Sequence, residues 1–240
     1  MSGHSKWKNI MHKKEKTDAQ KAKVFTKIGK EIAIAVKQGG ADPVANSKLA
    51  ALITKAKANN VPNDNIERTI KKASAADAAA LEEMRYEGYG PGGVAVIVTA
   101  ATDNTNRTTP EIRSYFSKYK GNLGTTGCVG YLFEDKGVIM ISKEEEYDED
   151  ALMEAALEAG ASDFVSDEDA YIIYTEDNDL EAVADAIEKA GFKYESADHD
   201  KIPSTYVTLD SEDDIKYMTL LLEHLEDNDD VTEVYHNWDN

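Results

Sequence analysis

His4-Ser5-Lys6-Trp7-Lys8, followed by Lys13-Lys14 and Lys16, interleaves cations with one large aromatic ring. Lysine offers phosphate a sequence-blind point charge, and a tryptophan face can stack on an unpaired base, a pairing of properties suited to single-stranded nucleic acid. Trp7 is equally suited to pinning this segment against the fold while the lysines solvate it. Further along, Lys21, Lys23, Lys27, Lys30, Lys55 and Lys57 continue the series. Residues 1–76 carry 16 Lys and Arg against 6 Asp and Glu, whereas residues 77–240 carry 11 against 40. A head of charge +10 is thus joined to a body of −29 in a chain whose net charge is −19. Such a head is the electrostatic footprint of a nucleic-acid partner, and such a body is repelled by phosphate.

Other motifs are weaker. Gly88-Tyr89-Gly90-Pro91-Gly92-Gly93 fits G-x-G-x-x-G, but the β-rich run VAVIVTA follows where a dinucleotide site needs a helix N-terminus. A Gly/Pro turn between two strands is the better reading. The sequence contains no G-x-x-x-x-G-K-[ST] loop, its Ser and His residues lack nucleophile-elbow context, and Cys128 sits apart from any histidine motif. No catalytic activity, no cofactor and no metal are therefore expected. The acidic runs Glu144–Glu146, Asp167–Asp169 and Asp227–Asp230 lack the alternating ligands and glycine of an EF-hand, and read as solvated turns and helix starts. Thr102-Asp103-Asn104-Thr105-Asn106-Arg107 lies between a strand and a helix. Asx turns and caps can account for every residue of it but Arg107, which together with Asn104 is a candidate second phosphate contact.

The elements that would carry these residues follow from periodicity. From Thr17, Val24, Phe25, Ile28, Ile32, Ala35 and Val36 fall on one helical arc, with Lys23, Lys27, Lys30 and Lys37 opposite, and Gly39-Gly40 ends the run. A second helix carries Leu49, Leu52, Ile53 and Ala56 and stops at Asn59-Asn60. A third, with Asn63 as N-cap, carries Ile66 and Ile70 and has Lys71-Lys72 in its last turn. The pattern then changes from period 3.6 to period 2. Strands are expected at 85–88, 94–101 and 129–134, with a helix at 110–120 capped by Thr109. Residues 138–142, 149–159, 163–166, 170–175, 180–190 and 193–196 read β-α-β-β-α-β, the ferredoxin-like order. A strand at 205–209, a helix at 212–226 and a strand at 231–236 complete a second such unit only if joined to residues 94–134. The expected fold is α+β: a basic tail and three-helix bundle over 1–80, a ferredoxin-like middle domain of 81–135 plus 201–240, and a ferredoxin-like domain of 136–200 inserted into it. One cysteine, no apolar run of secretory or membrane-spanning length and 41% apolar residues point to a cytoplasmic, globular protein with no membrane partner.

The blocks GHSKW (3–7), Phe25-Thr26-Lys27, Lys30-Glu31-Ile32, Ala56-Lys57 with Pro62, YGPGGVAVIV (89–98), TDNTNRT (102–108), Arg113 and Asn122-Leu123-Gly124 together resemble the YebC family from end to end. Its members are widely labelled probable transcriptional regulatory proteins. The resemblance implies a helical N-terminal domain, two further domains of which one is inserted, and a regulatory role tied to nucleic acid without catalysis. Mitochondrial relatives are translational activators of a cytochrome oxidase subunit, and bacterial members have been linked to ribosomes as well as DNA. Lysine stands at 21 and 48 where the family often has arginine, keeping charge but losing bidentate recognition, and Lys120-Gly121 stands where Gly-Gly is common. The leading expectation is a DNA-binding transcriptional regulator. A ribosome-associated translation factor that binds RNA is the alternative, and an acidic module that binds a basic protein partner is a third.

Overall fold

Asn46 accepts the Leu49 N–H at 3.1 Å, and this N-cap starts the second of three amphipathic helices. A computed structural model of the chain describes residues 18–75 and 80–239. Helices α1 (Asp18–Gly39), α2 (Ser47–Ala58) and α3 (Asn63–Ala73) bury Ile28, Ile32, Ala35, Leu49, Ala56 and Ile66 against one another. The stripe seen in the sequence is the core of this bundle, because residues three and four apart share a helix face. Pro62 is the cap residue of α3 in place of Asn63, which is its first helical residue.

The chain forms two compact units. Among the described residues, one contains the bundle, the rest of the chain to 132 and residues 205–238; the other contains residues 133–204 and Asp239. In the first, β1 (Glu82–Tyr89) and β2 (Ala95–Thr102) pair antiparallel across the turn at 90–94. Gly92 there has φ 64°, and a Cβ on it would stand 2.2 Å from Leu209 Cδ2, so this turn requires glycine. After α4 (Thr105–Lys118) comes a two-residue strand, β3 (Asn122–Leu123). The sheet order is β3-β1-β2-β9, with β9 being Val231–His236. Along β2 the even positions Val96, Val98 and Ala100 meet Ile112 and Phe116 of α4 and Met218, Leu221 and Leu225 of α7 (Glu212–Asp227). Helix α1 packs on β2 and β9, where Ile97 is fully buried.

Three expectations are corrected in this unit. Residues 130–132 form a 3-10 turn rather than the start of a strand at 129–134. The stretch expected as a strand at 205–209 is reduced to β8 (Val207–Thr208), paired with β10 (Trp238–Asp239) outside the sheet, and β1 takes its place as the fourth strand. Helix α4 starts at Thr105 with Asn104 as its cap, and Pro110 lies in its second turn. The Asn104 side chain captures the Arg107 N–H at 3.2 Å, which begins the helix five residues before Pro110.

In the second unit β4 (Phe133–Ser142), α5 (Glu149–Ala159), β5 (Asp163–Ser166), β6 (Ala170–Glu176), α6 (Leu180–Lys189) and β7 (Ser196–Pro203) run in the ferredoxin-like order, with sheet order β5-β6-β4-β7. Strand β4 is continuous through Asp135-Lys136-Gly137, which looks turn-forming in sequence. Gly137 serves close approach: a Cβ would stand 2.2 Å from Thr175 Oγ1 and 2.7 Å from Leu180 Cβ. Pairing of Phe133 with Pro203 through Met140 with Ser196 extends β4 backward and moves β7 later than the strand expected at 193–196. Ile139, Ile141, Leu152, Ile173, Val183 and Ile187 form the core.

Candidate nucleic-acid interface

Lys23, Lys27 and Lys30 recur at i, i+4 and i+7, which sets three ammonium groups along one side of α1. Each is met by oxygen from the end of α7 and the turn after it. Lys23 pairs with the Asp227 carboxylate and also donates to the Asp227 carbonyl at 3.3 Å. Lys27 donates to the Glu226 carbonyl at 2.5 Å. Lys30 donates to the Asp229 carbonyl and to Asp230 Oδ1, both at 2.8 Å. The reason is local: the last carbonyls of a helix have no intrahelical donor and carry the negative end of its dipole, so lysine ammonium groups complete them. The Lys23 contact holds the Asp227 carboxyl below, and the ammonium above, its ordinary range.

Asp230 is the centre of this arrangement and is 6% exposed. Its Oδ2 accepts from Arg107 Nη2 at 2.7 Å, Arg107 Nε at 3.3 Å and Thr108 Oγ1 at 2.8 Å, while Oδ1 accepts from Lys30. Burial alone would raise this carboxyl, but hydrogen bonds from Lys30, Arg107 and Thr108 outweigh it and lower it to about 2. For Asp230 the reading of the run Asp227–Asp230 as solvated turn charges is thereby corrected, whereas Asp227 and Asp229 are exposed. Asp230 is buried because two cations and the hydroxyls of Thr108 and Thr102 replace its water. Arg107 also bridges to Asp103 at 3.1 Å. Asn104 is occupied as the α4 cap. Caps, hydrogen bonds and ion pairs thus account for Thr102, Asp103, Asn104 and Arg107, although half of the Arg107 side chain is exposed.

Lys55 of α2 sits between Glu233 of β9 at 2.5 Å and Glu31 of α1 at 3.2 Å. Burial would lower its ammonium, but the two carboxylates reverse that and raise it; burial pushes Glu31 up in spite of Lys55. Lys21 and Lys57 are exposed. His4, Ser5, Lys6, Trp7, Lys8, Lys13, Lys14 and Lys16 lie outside the described residues. The structure therefore brings Lys23, Lys27, Lys30 and Arg107 together around residues 226–230, with Asn104 capping α4 beside Arg107 and Lys55 on a separate pair of carboxylates. A cavity of about 630 Å³ adjoins the first group, walled by Lys23, Lys30, Arg107, Tyr115, His224 and Asp227. Asp230 was missed by sequence reasoning. Its one signal was a buried-strand position, Val231, immediately after an acidic run.

Among the described residues, no group of three His, Cys, Asp or Glu side chains is placed to hold a metal ion. No helix among them is long and apolar enough to cross a membrane. What the site can do is ionic: it presents or covers cations.

Comparison with known proteins gives a consistent match. A family model described as the TACO1/YebC protein N-terminal domain matches residues 5–76, and one described as the TACO1/YebC second and third domain matches residues 81–238. A "probable transcriptional regulatory protein" of Acetivibrio thermocellus is 55% identical over 239 residues, covering 99% of both chains. One of the same description from Caldicellulosiruptor saccharolyticus is 56% identical over 240 residues, covering 100% of this chain and 99% of its own. The crystal structure of a conserved hypothetical protein from Aquifex aeolicus superposes with a TM-score of 0.82 at 44% identity, covering 93% of this chain and 92% of that one.

Proposed function

The chain belongs to the TACO1/YebC family, and from that premise we propose that it is a cytoplasmic, non-catalytic, nucleic-acid-binding regulator of gene expression. The observation that carries the proposal is the charge division, +10 over residues 1–76 against −29 over the rest. Its regulatory character is supported by relatives that cover its whole length and are named probable transcriptional regulatory proteins.

The division gives the binding mode. Cations at Lys6, Lys8, Lys13, Lys14 and Lys16 meet phosphate first, with His4, Ser5 and Trp7 available for backbone and base contacts. Lys21 and Lys57 extend this surface onto the bundle, where both are exposed. Lys23, Lys27, Lys30, Lys55, Asn104 and Arg107 belong to it while holding intramolecular partners, of which those of Lys23 and Lys27 are the ones nucleic acid replaces. The acidic body disfavours phosphate elsewhere, so binding is oriented.

The experiment is a salt series with duplex DNA, structured RNA and purified ribosomes, comparing the natural chain with one in which Lys6, Trp7, Lys8, Lys13 and Lys14 are alanine. Loss of four lysine contacts is expected to weaken binding and reduce the slope of log affinity against log salt by about 3.6 on duplex DNA. Unchanged affinity for all three ligands sinks the basic-head mechanism. Protection of a defined duplex sequence supports transcription. Ribosome co-sedimentation that survives competitor DNA supports the second reading, translational regulation, which the Lys/Trp segment favours because RNA offers unpaired bases to stack on.

A further inference from the structure

We infer that the turn at residues 226–230 is a built-in occupant of the phosphate-binding side of α1, and that nucleic acid binds there by displacing it. This rests on the nucleic-acid reading above and adds its regulation.

The turn mimics a nucleic-acid backbone chemically. The lysines at 23, 27 and 30 extend over two turns of helix, roughly 10 Å. They are met by the Asp227 and Asp230 carboxylates and by the carbonyls of residues 226, 227 and 229. A row of negative oxygens facing a row of ammonium groups is what a nucleic-acid backbone would supply to the same helix. The contact is graded along α1. At its outer end the Lys23 and Asp227 side chains are 41% and 75% exposed, whereas at its inner end Lys30 and Asp230 are 20% and 9% exposed. Exposed pairs contribute little, so the outer contact opens at small cost while Asp230 stays anchored by Arg107 and Thr108. The adjoining cavity has Lys23, Lys30 and Arg107 on its walls, but with the turn seated Asp103, Glu111, Asp227, Asp229 and Asp230 also line it, so carboxylates outnumber cations and a phosphate enters only as Asp227 and Asp229 leave. With the turn seated, this side of the protein presents the exposed Asp227 and Asp229; with it displaced, it presents lysine.

The test compares binding of duplex DNA and structured RNA by the full chain, by Asp227→Asn/Asp229→Asn, and by Asp210→Asn/Glu223→Gln. The last removes two exposed charges of the same unit that lie outside the turn at 226–230. Opening the turn is expected to tighten binding about 3- to 10-fold beyond the control pair. That gain should vanish when Lys23→Ala/Lys27→Ala is added, because coupling between the two pairs is the signature of a shared surface. An equal gain in the control, or a gain that survives loss of the lysines, means only diffuse charge is at work and overturns the inference. If the N-terminal alanine variant loses binding while Asp227→Asn/Asp229→Asn behaves as the natural chain, the inference falls and the functional reading stands. If no variant binds either nucleic acid, the reading falls and takes the inference with it.

Discussion

Asp230 shows how one buried charge can tie two elements together. Its carboxyl titrates at about 2 in the fold, against roughly 3.9 in an unfolded chain. The folded state therefore favours the ionised form. The stability this contributes is complete above about pH 4 and is lost as pH falls through about 2, on the order of 2.5 kcal/mol in all. Asp230→Asn is expected to flatten that part of the stability curve. At neutral pH it should cost about 2–4 kcal/mol, because Lys30 then loses its carboxylate and Arg107 keeps only Asp103. Urea unfolding of both proteins at pH 2.5, 4 and 7 checks both statements, and parallel curves for the two proteins contradict them. Asn104→Ala should cost about 1 kcal/mol through loss of the α4 cap. The residues of 102–108 were legible as caps, since Asn and Thr at a strand-to-helix junction bond nearby N–H groups. The partner of Arg107 was not, because Asp230 lies 123 positions away and nothing local marks it as buried.

At the scale of elements, what could be read was whatever repeats along the chain. The apolar stripe of α1, the Asn59-Asn60 stop of α2 and the apolar run of β2 each depend on neighbours within a few residues. The edges of β4, β7 and β8 depend on partners far away in sequence, so Asp135-Lys136-Gly137 resembled a turn although it lies within a paired strand. The segment 124–132 is similar. It is held by Glu87, a 2% exposed carboxylate on β1 that accepts the N–H groups of Val129 at 3.0 Å and Gly130 at 2.7 Å and pairs with Arg85 at 2.9 Å. Burial would raise this carboxyl, but those N–H groups and Arg85 bring it below its ordinary value. Glu87→Ala should release the segment, at about 1–3 kcal/mol for the unpaired N–H groups. Burial pushes the Cys128 thiol up, with Glu87 adding to the effect. Faster alkylation of Cys128 together with faster exchange of the Val129 and Gly130 amides is therefore the expected readout, and unchanged rates of both contradict the clamp.

For the whole molecule the question is how charge is divided between its units. Residues 133–204 carry 5 Lys and Arg against 23 Asp and Glu, a net of −18, and have one core between the sheet and its helices and a second buried cluster, with Val138, Met140 and Ile172, on the opposite sheet face. Phe133 is the register partner of Pro203, so the two ends of this unit lie side by side at the edge of a β-ladder. Replacing 133–204 by a short Gly/Ser linker therefore bridges a gap of about 5 Å, the separation of paired Cα atoms in an antiparallel ladder. The remaining unit keeps the helical-bundle core and the core beneath α4 and α7. We expect it to unfold in one cooperative step near the stability of the full chain. Removing a field of −18 also removes repulsion from phosphate, so its affinity for duplex DNA or RNA at low salt should be at least that of the full chain, with the difference shrinking as salt rises. Circular dichroism melting checks the first expectation and a salt-dependent binding series the second. A shortened chain that folds but binds more weakly would show that residues 133–204 contribute to the nucleic-acid contact instead of opposing it, and the division of labour between a basic head and an acidic body would have to be abandoned.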